Sequence, residues 1–513
     1  MEASNYWRSY LNCKDFQAVG VREFNHVPFS GLWDMITLGT MVEVESQDDV
    51  PGSHQPVLWV ASINKIHGYY GLLRYEGAGN DPNQDFWIHL CSPSIHHVGW
   101  CAENGKQLIP PQSIVGKFPD LRDFLLNSLT GKQTLSHDFQ ALGNQSSQSS
   151  CFQVGDQWEV VDKDRICQLK VATVQKVVGQ RLYMKYFDST EDEGFWLHER
   201  SRQIHPMGWA KTTGHEIVAP VGYHPRELPP TPSDQQYEDL KLEVGMKMEA
   251  INPLRPCVIG VATIKKVLKR GYVMVRVEGT EMEPGAEGND WVCYHITSPN
   301  IFPCGFCEEN GILLTPPKQW EDNFYWTGYL DGNGARAAPV KLREEFGHGF
   351  WIDMKVEAVN RMEPSMICPA TITRIEGRLI KIHFDGWEEK HDQWLDAGSP
   401  DIYPIGYCEL VHHKMQVAPP PQTPLKPEMK VLVGGGKSSP DHPPEAITPV
   451  SPAPSEAERM CARAEMSPEA IETKARVVET APPRPSFQAA NSSQEQFQLV
   501  KKEKTVKKDG SIG

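Results

Sequence analysis

Between Phe384 and Trp394 the chain reads FDGWEEKHDQW, which gathers Phe384, Trp387, His391 and Trp394 into one short stretch. Upstream, AVNRMEP supplies Asn360 and Glu363, an amide and a carboxylate three residues apart. Both stretches follow β-branched runs and so belong to loops leaving strands. Aromatic faces closed by an amide and a carboxylate suit a methylated ammonium group. The faces attract the cation, by up to about 2 kcal/mol once water is excluded. The polar groups accept its remaining N–H. Trp394 has counterparts at Trp87, Trp196 and Trp291 and is read as core, whereas Trp387 has none.

Other chemistry is poorly supplied. The chain has no G-x-S-x-G, Walker-type loop, HExxH or GxGxxG. Cys304 and Cys307 form a CxxC without the second pair that a structural zinc site normally needs. His96–His97 and His412–His413 are adjacent pairs, and neighbours on a strand point to opposite faces. No metal, cofactor or enzymatic activity is therefore expected.

The elements that must position the aromatic stretch recur four times. The segments SPSIHHVGWC, SRQIHPMGWA, SPNIFPCGFC and SPDIYPIGYC share Gly99, Gly208, Gly305 and Gly406. That spacing fits a small domain rather than a solenoid unit. Each repeat opens alike, with LGTMVEVES, VGDQWEVVD, VGMKMEAIN or IDMKVEAVN, and two β-branched runs follow. Alternation bounded by Gly or Asp predicts short antiparallel strands, four or five per repeat, in a small barrel. Between barrels, FPDLRDFLLNSLTG predicts a helix from an Asp120 N-cap to a Gly131 stop. NYWRSYLN and FYWTGYLD resemble each other and are expected to form arms before the first and fourth barrels.

The chain has 513 residues and carries Lys+Arg 51 against Asp+Glu 66, a net charge of −15. An acidic chain suits a basic partner and makes direct nucleic-acid binding unlikely or weak. The patch IKKVLKRGY, with Lys265, Lys266, Lys269 and Arg270, is the local exception. No apolar run is long enough to span a membrane. Residues 423–513, rich in Pro, Ser and Glu, are expected to be disordered and to end in the basic cluster VKKEKTVKKDG. Lys426, Lys501 and Lys507 sit in apolar–Lys–x–acidic stretches that resemble SUMO acceptor sites.

The openings, the HFDGW segment, the SPxIxPxG segments and the closing PP resemble malignant brain tumour (MBT) repeats. The resemblance implies a mainly β protein of four tandem Tudor-like five-stranded barrels with helical arms. The expected repeats are 1–115, 116–224, 225–319 and 320–422, the last being the reader. It further implies a nuclear, non-enzymatic chromatin protein. Such a protein binds mono- and dimethylated lysine on histone H3 and H4 tails, and joins Polycomb-type repressor complexes in transcriptional repression and chromatin compaction. The family's pocket has an Asp and an Asn three apart, then a Phe, a Trp and a further aromatic. Asn360, Glu363, Phe384, Trp387 and His391 match those positions, with amide and carboxylate exchanged. The matching positions elsewhere are Tyr75 and Ala78, Phe187 and Thr190, and Val277 and Thr280, so repeats one to three are expected to be structural or partner-binding. A nuclear scaffold whose barrels hold partner proteins is the alternative.

Overall fold

A computed structural model describes residues 3–46, 57–148, 150–190, 193–232, 234–278, 290–344 and 347–418. Lys426, Lys501, Lys507 and the expected disorder of 423–513 lie outside the described residues.

Each repeat is a curled antiparallel sheet, a half-barrel. In the fourth, the spatial order is Gln393–Asp396, Leu379–Phe384, Ile367–Glu376, Lys355–Val359 and Ile402–Tyr403. The first four strands form a meander, and the short fifth strand closes onto the far edge of the first. The other repeats have the same order, and the second and third add a short parallel strand. The curl has a local cause: the long second strand shifts register at Ile63/Lys65, Val174/Lys176, Ile264/Lys266 and Ile372/Arg374. Such a bulge bends a strand and increases its twist.

One buried carboxylate per repeat ties the sheet to the short helix behind it. Glu43, Glu159, Glu249 and Glu357 sit on the opening strands, fully enclosed. Glu357 accepts the backbone N–H groups of Gly406 and Cys408, both at 2.7 Å. Glu43 does the same with Gly99 and Cys101, Glu159 with Gly208 and Ala210, and Glu249 with Gly305 and Cys307. The shared glycines all have positive φ, between 90° and 104°, which L side chains adopt only with strain. The strand glutamate and the G(W/F/Y) turn that follows it in each repeat are thus an acceptor and its donors. Burial pushes the Glu159 and Glu357 carboxyls above the usual range.

The arms dock differently from the sequence expectation. Helix Ala3–Leu11 serves the fourth repeat: the Trp7 indole donates to Glu357 at 2.8 Å, and Ala18 bridges to Lys355. Helix Trp326–Gly332 serves the third, with the Trp326 indole donating to Glu249 at 2.7 Å. Each arm completes the coordination of a buried glutamate, and adjacency in the chain does not decide which. Helix Leu121–Leu129 forms as expected, with Asp120 accepting from the N–H groups of Arg122 and Asp123.

The fourth repeat touches all three others. It shares one continuous core with the first, where Tyr69 N–H donates to Ile405 O at 3.0 Å. The Tyr407 hydroxyl donates to Gly179 O of the second at 2.8 Å. Trp394 and Leu379 pack among Ile251, Ile259, Phe302 and Phe306 of the third. Trp394 is therefore core, but that core lies between two repeats: Trp87 and Trp196 at the same register position are half-buried, and in the third repeat Cys293, not Trp291, stands there.

Candidate functional site

The aromatic stretch of the fourth repeat is held at both ends by buried carboxylates. Strand Leu379–Phe384 ends at Phe384, which is 2% exposed and pairs in register with Ala370. Asp385 follows and accepts from Thr371 Oγ1 at 2.5 Å and Lys355 Nζ at 2.8 Å. Gly386, with φ of +80°, reverses the chain. Trp387 N–H then closes the turn on Phe384 O at 3.0 Å. At the far end, Asp392 meets His383 Nδ1 at 2.7 Å and Lys381 Nζ at 2.9 Å. Between the two clamps, Trp387 and His391 stand half-buried and edge to face, with centroids 5.4 Å apart at 73°. The indole Nε1 of Trp387 is buried without a hydrogen-bond partner. The turn Glu389–His391 packs against strand Arg255–Val267, so the third repeat supports the site from outside.

Asn360 stands at the end of the opening strand, 9% exposed. Its Oδ1 accepts from Met362 N–H at 3.0 Å and, more loosely, from Gln393 Nε2 at 3.4 Å. The first bond is an Asx turn that Asp162 and Asn252 repeat, with the N–H groups of Asp164 and Leu254. It shapes the strand end whatever the repeat binds. The second is long enough to yield to a better donor. Glu363 is exposed, and its backbone N–H donates to Asn360 O at 2.9 Å. The structure thus brings Trp387 and His391 together, seals Phe384 beneath the turn, buries the amide and leaves the carboxylate in water. Spacing did not single out Gln393, because its signal is an unremarkable strand position.

The same corner is filled in other repeats. In the first, Ala78 replaces the indole, and the stacked rings of Phe118 and Phe124 lie close to Gly77. In the second, the register corrects the sequence reading. Tyr186, not Phe187, pairs with Ala172 as Phe384 pairs with Ala370, and Ser189, not Thr190, stands three residues on. There Lys170 Nζ lies 5.4 Å from the Tyr186 ring centroid and 3.4 Å from Asp162, which occupies the place of Asn360. The second repeat thus holds Lys170 against Tyr186, the counterpart of Phe384. In the third, Val277 takes the place of Phe384, and Thr280 lies outside the described residues.

The basic patch is partly engaged within the fold. Arg270 donates to the Leu228 and Pro229 carbonyls and pairs with Asp234 at 3.1 Å. Lys266 faces Glu216 at 3.7 Å. Of the CxxC, the Cys304 thiol donates to Lys247 O at 3.3 Å, and Cys307 N–H donates to Glu249.

A family model described as mbt repeat matches residues 44–115, 157–224, 246–321 and 354–423. The chain is 44% identical over 445 residues to the Polycomb protein Sfmbt of Drosophila melanogaster, covering 80% of this chain and 36% of that protein. It is 44% identical over 429 residues to the MBT domain-containing protein 1 of Homo sapiens, covering 80% and 66%. It thus spans only about a third of the first relative's length. Among solved structures, the four MBT repeats of Drosophila melanogaster Sfmbt in complex with the peptide RHR(me)KVLR match with a TM-score of 0.73 and 43% identity, covering 81% of this chain and 98% of that one.

Proposed function

The chain belongs to the MBT repeat family, and from that premise we propose that its fourth repeat reads mono- and dimethylated lysine in histone H3 and H4 tails. The reading places the chain in the nucleus, in Polycomb-type repression and chromatin compaction. It is one of binding, not of catalysis. The observation that carries it is Trp387: half-buried, edge to face with His391, its indole N–H unpartnered, in a corner that the first two repeats fill with their own side chains. The similarity to a chain solved with a methyl-lysine peptide supports the same reading.

In this reading Trp387 and His391 face the methylated ammonium, with Phe384 as the floor and Asn360 as the acceptor for a remaining N–H. Trimethyl-lysine has no N–H and would leave a buried acceptor unmet, a cost of about 1–3 kcal/mol. Unmodified lysine is more strongly hydrated and fills the box less well. Little beyond one side chain is buried, so discrimination of flanking residues is weak. Calorimetry with one histone peptide carrying zero to three methyl groups tests this. Mono- and dimethyl forms should bind best, and Trp387→Ala should lose at least tenfold in affinity while remaining folded, with a cooperative melt above the assay temperature. Equal binding by Trp387→Ala would refute the assignment.

A scaffold role has one observation in its favour. Trp351 and Ile352, on the approach to the fourth repeat, are 67% and 56% exposed, an uncommon place for a large apolar pair. Loss of repressor-complex subunits from Trp351→Ala but not from Trp387→Ala would favour it.

A further inference from the structure

We propose that His97, Glu103 and His137 form a binding site for a zinc-class divalent cation, with Asp138 orienting His137. The three residues offer one ligand atom each, all within 4.8 Å of one another. Glu103 Oε2 lies 3.1 Å from His97 Nε2 and 3.5 Å from His137 Nε2. Zinc–ligand bonds of about 2.0–2.1 Å at tetrahedral angles place neighbouring ligand atoms about 3.3 Å apart. Two of the three separations therefore already match a zinc polyhedron, and the imidazole rings, 4.5 Å apart, need only a side-chain adjustment.

The arrangement around the ligands is that of a metal site. His137 turns Nδ1 toward Asp138 Oδ1 at 3.1 Å, which leaves Nε2 for the ion. A carboxylate behind a ligating imidazole fixes its tautomer and raises its basicity. His97 is 12% exposed at the side chain and cannot swing freely, whereas Glu103 and His137 are open to solvent. They border a cleft of about 270 Å³ with Trp100, Leu135 and Gln140. His96, which also borders the cleft, stacks on Trp100 with centroids 3.7 Å apart. Two imidazoles and one carboxylate suit zinc or its transition-metal neighbours and not calcium or magnesium, which take oxygen ligands.

The repeats themselves single out this position. Where the first repeat reads IHHVG, the others read IHPMG, IFPCG and IYPIG, so His97 replaces Pro206, Pro303 and Pro404. His137 comes from outside the sheet, on the segment that follows the bridge between Thr134 and Met41 and leads to helix Phe139–Gln148. A bound ion would pin that connector to the first repeat and keep a fourth position for water.

Titration of the full chain with zinc alone, read by competition with a chromophoric chelator, tests the site. Wild type should bind one equivalent that His137→Ala and His97→Pro lose, each with at least a tenfold drop in affinity. The second variant restores the residue of the other repeats, and the first removes an exposed side chain, so both should keep the wild-type melting temperature without zinc. Zinc should raise the melting temperature of wild type alone. Cobalt at the same site should show ligand-field bands without the thiolate charge-transfer band that the cysteines would give. Wild type that binds no zinc, or variants that bind as much as wild type, would overturn the proposal. If either variant melts early, Glu103→Gln at an exposed position decides in the same assay.

Discussion

At the residue scale, Asn360 is where this site differs most from the carboxylate that the family resemblance implies at that position. A neutral amide oxygen, already shared by two donors, is a weaker acceptor for a charged N–H than a carboxylate. Charge-assisted hydrogen bonds are roughly twice as strong as neutral ones. The second repeat shows that the backbone accepts the change, since Asp162 makes the same Asx turn. Asn360→Asp should therefore fold normally and bind mono- and dimethyl-lysine peptides about tenfold more tightly, a gain of about 1.4 kcal/mol. Calorimetry against wild type reads it directly. Unchanged affinity would place Asn360 outside the box.

At the element scale, the recurring device is a buried glutamate that gathers two backbone N–H groups and, in the third and fourth repeats, an indole from an arm. Its strength lies in having every acceptor used. The indole shares Oε1 with the glycine N–H, so removing it takes one of three charge-assisted hydrogen bonds from a buried carboxylate, a loss of about 1.5–3 kcal/mol. Trp7→Phe keeps most of the volume and removes only that donor. It should lower stability by this amount in urea unfolding, and Trp326→Phe should do the same through Glu249. An unchanged midpoint in either variant would mean that the arms hold by packing alone.

At the scale of the whole molecule, the repeats meet across interfaces that bury histidines. Burial, then the nearby Arg200 charge, lowers His26 to about 3. Burial lowers His205 to about 3, and His67 and His295 to about 4. His89, His198, His215 and His413 move the same way, with burial the first cause of each. A histidine held below its unfolded value near 6.5 takes its proton only on unfolding. Stability should thus be full above about pH 7 and fall as pH drops from 6.5 toward 3–4. Each fully buried ring contributes on the order of 2 kcal/mol of that loss at pH 5. Glu159, Glu199 and Glu357, which burial raises, offset part of it. Melting temperatures recorded from pH 7.5 to 5 should decline steadily, and His26→Phe should flatten the slope. A flat profile in wild type would contradict the neutral, buried assignment.

Local signals were enough to find the repeats, their strands, the helix capped by Asp120 and the stretch that carries Phe384, Trp387 and His391. Period, turn residues and caps act over a few residues, and the chain states them four times. The sequence could not decide which repeat an arm completes, because Trp7 and Glu357 lie 350 residues apart and nothing in either neighbourhood names the other. It also could not settle the second repeat's register. Side chains alternate along a strand, so one residue of slip exchanges buried Tyr186 for Phe187, 39% exposed. That Lys170 lies over the Tyr186 ring, and that His97 meets His137, were likewise settled only in three dimensions. Those contacts join segments that are distant in the chain, and only the packed sheets and connectors bring their side chains within reach.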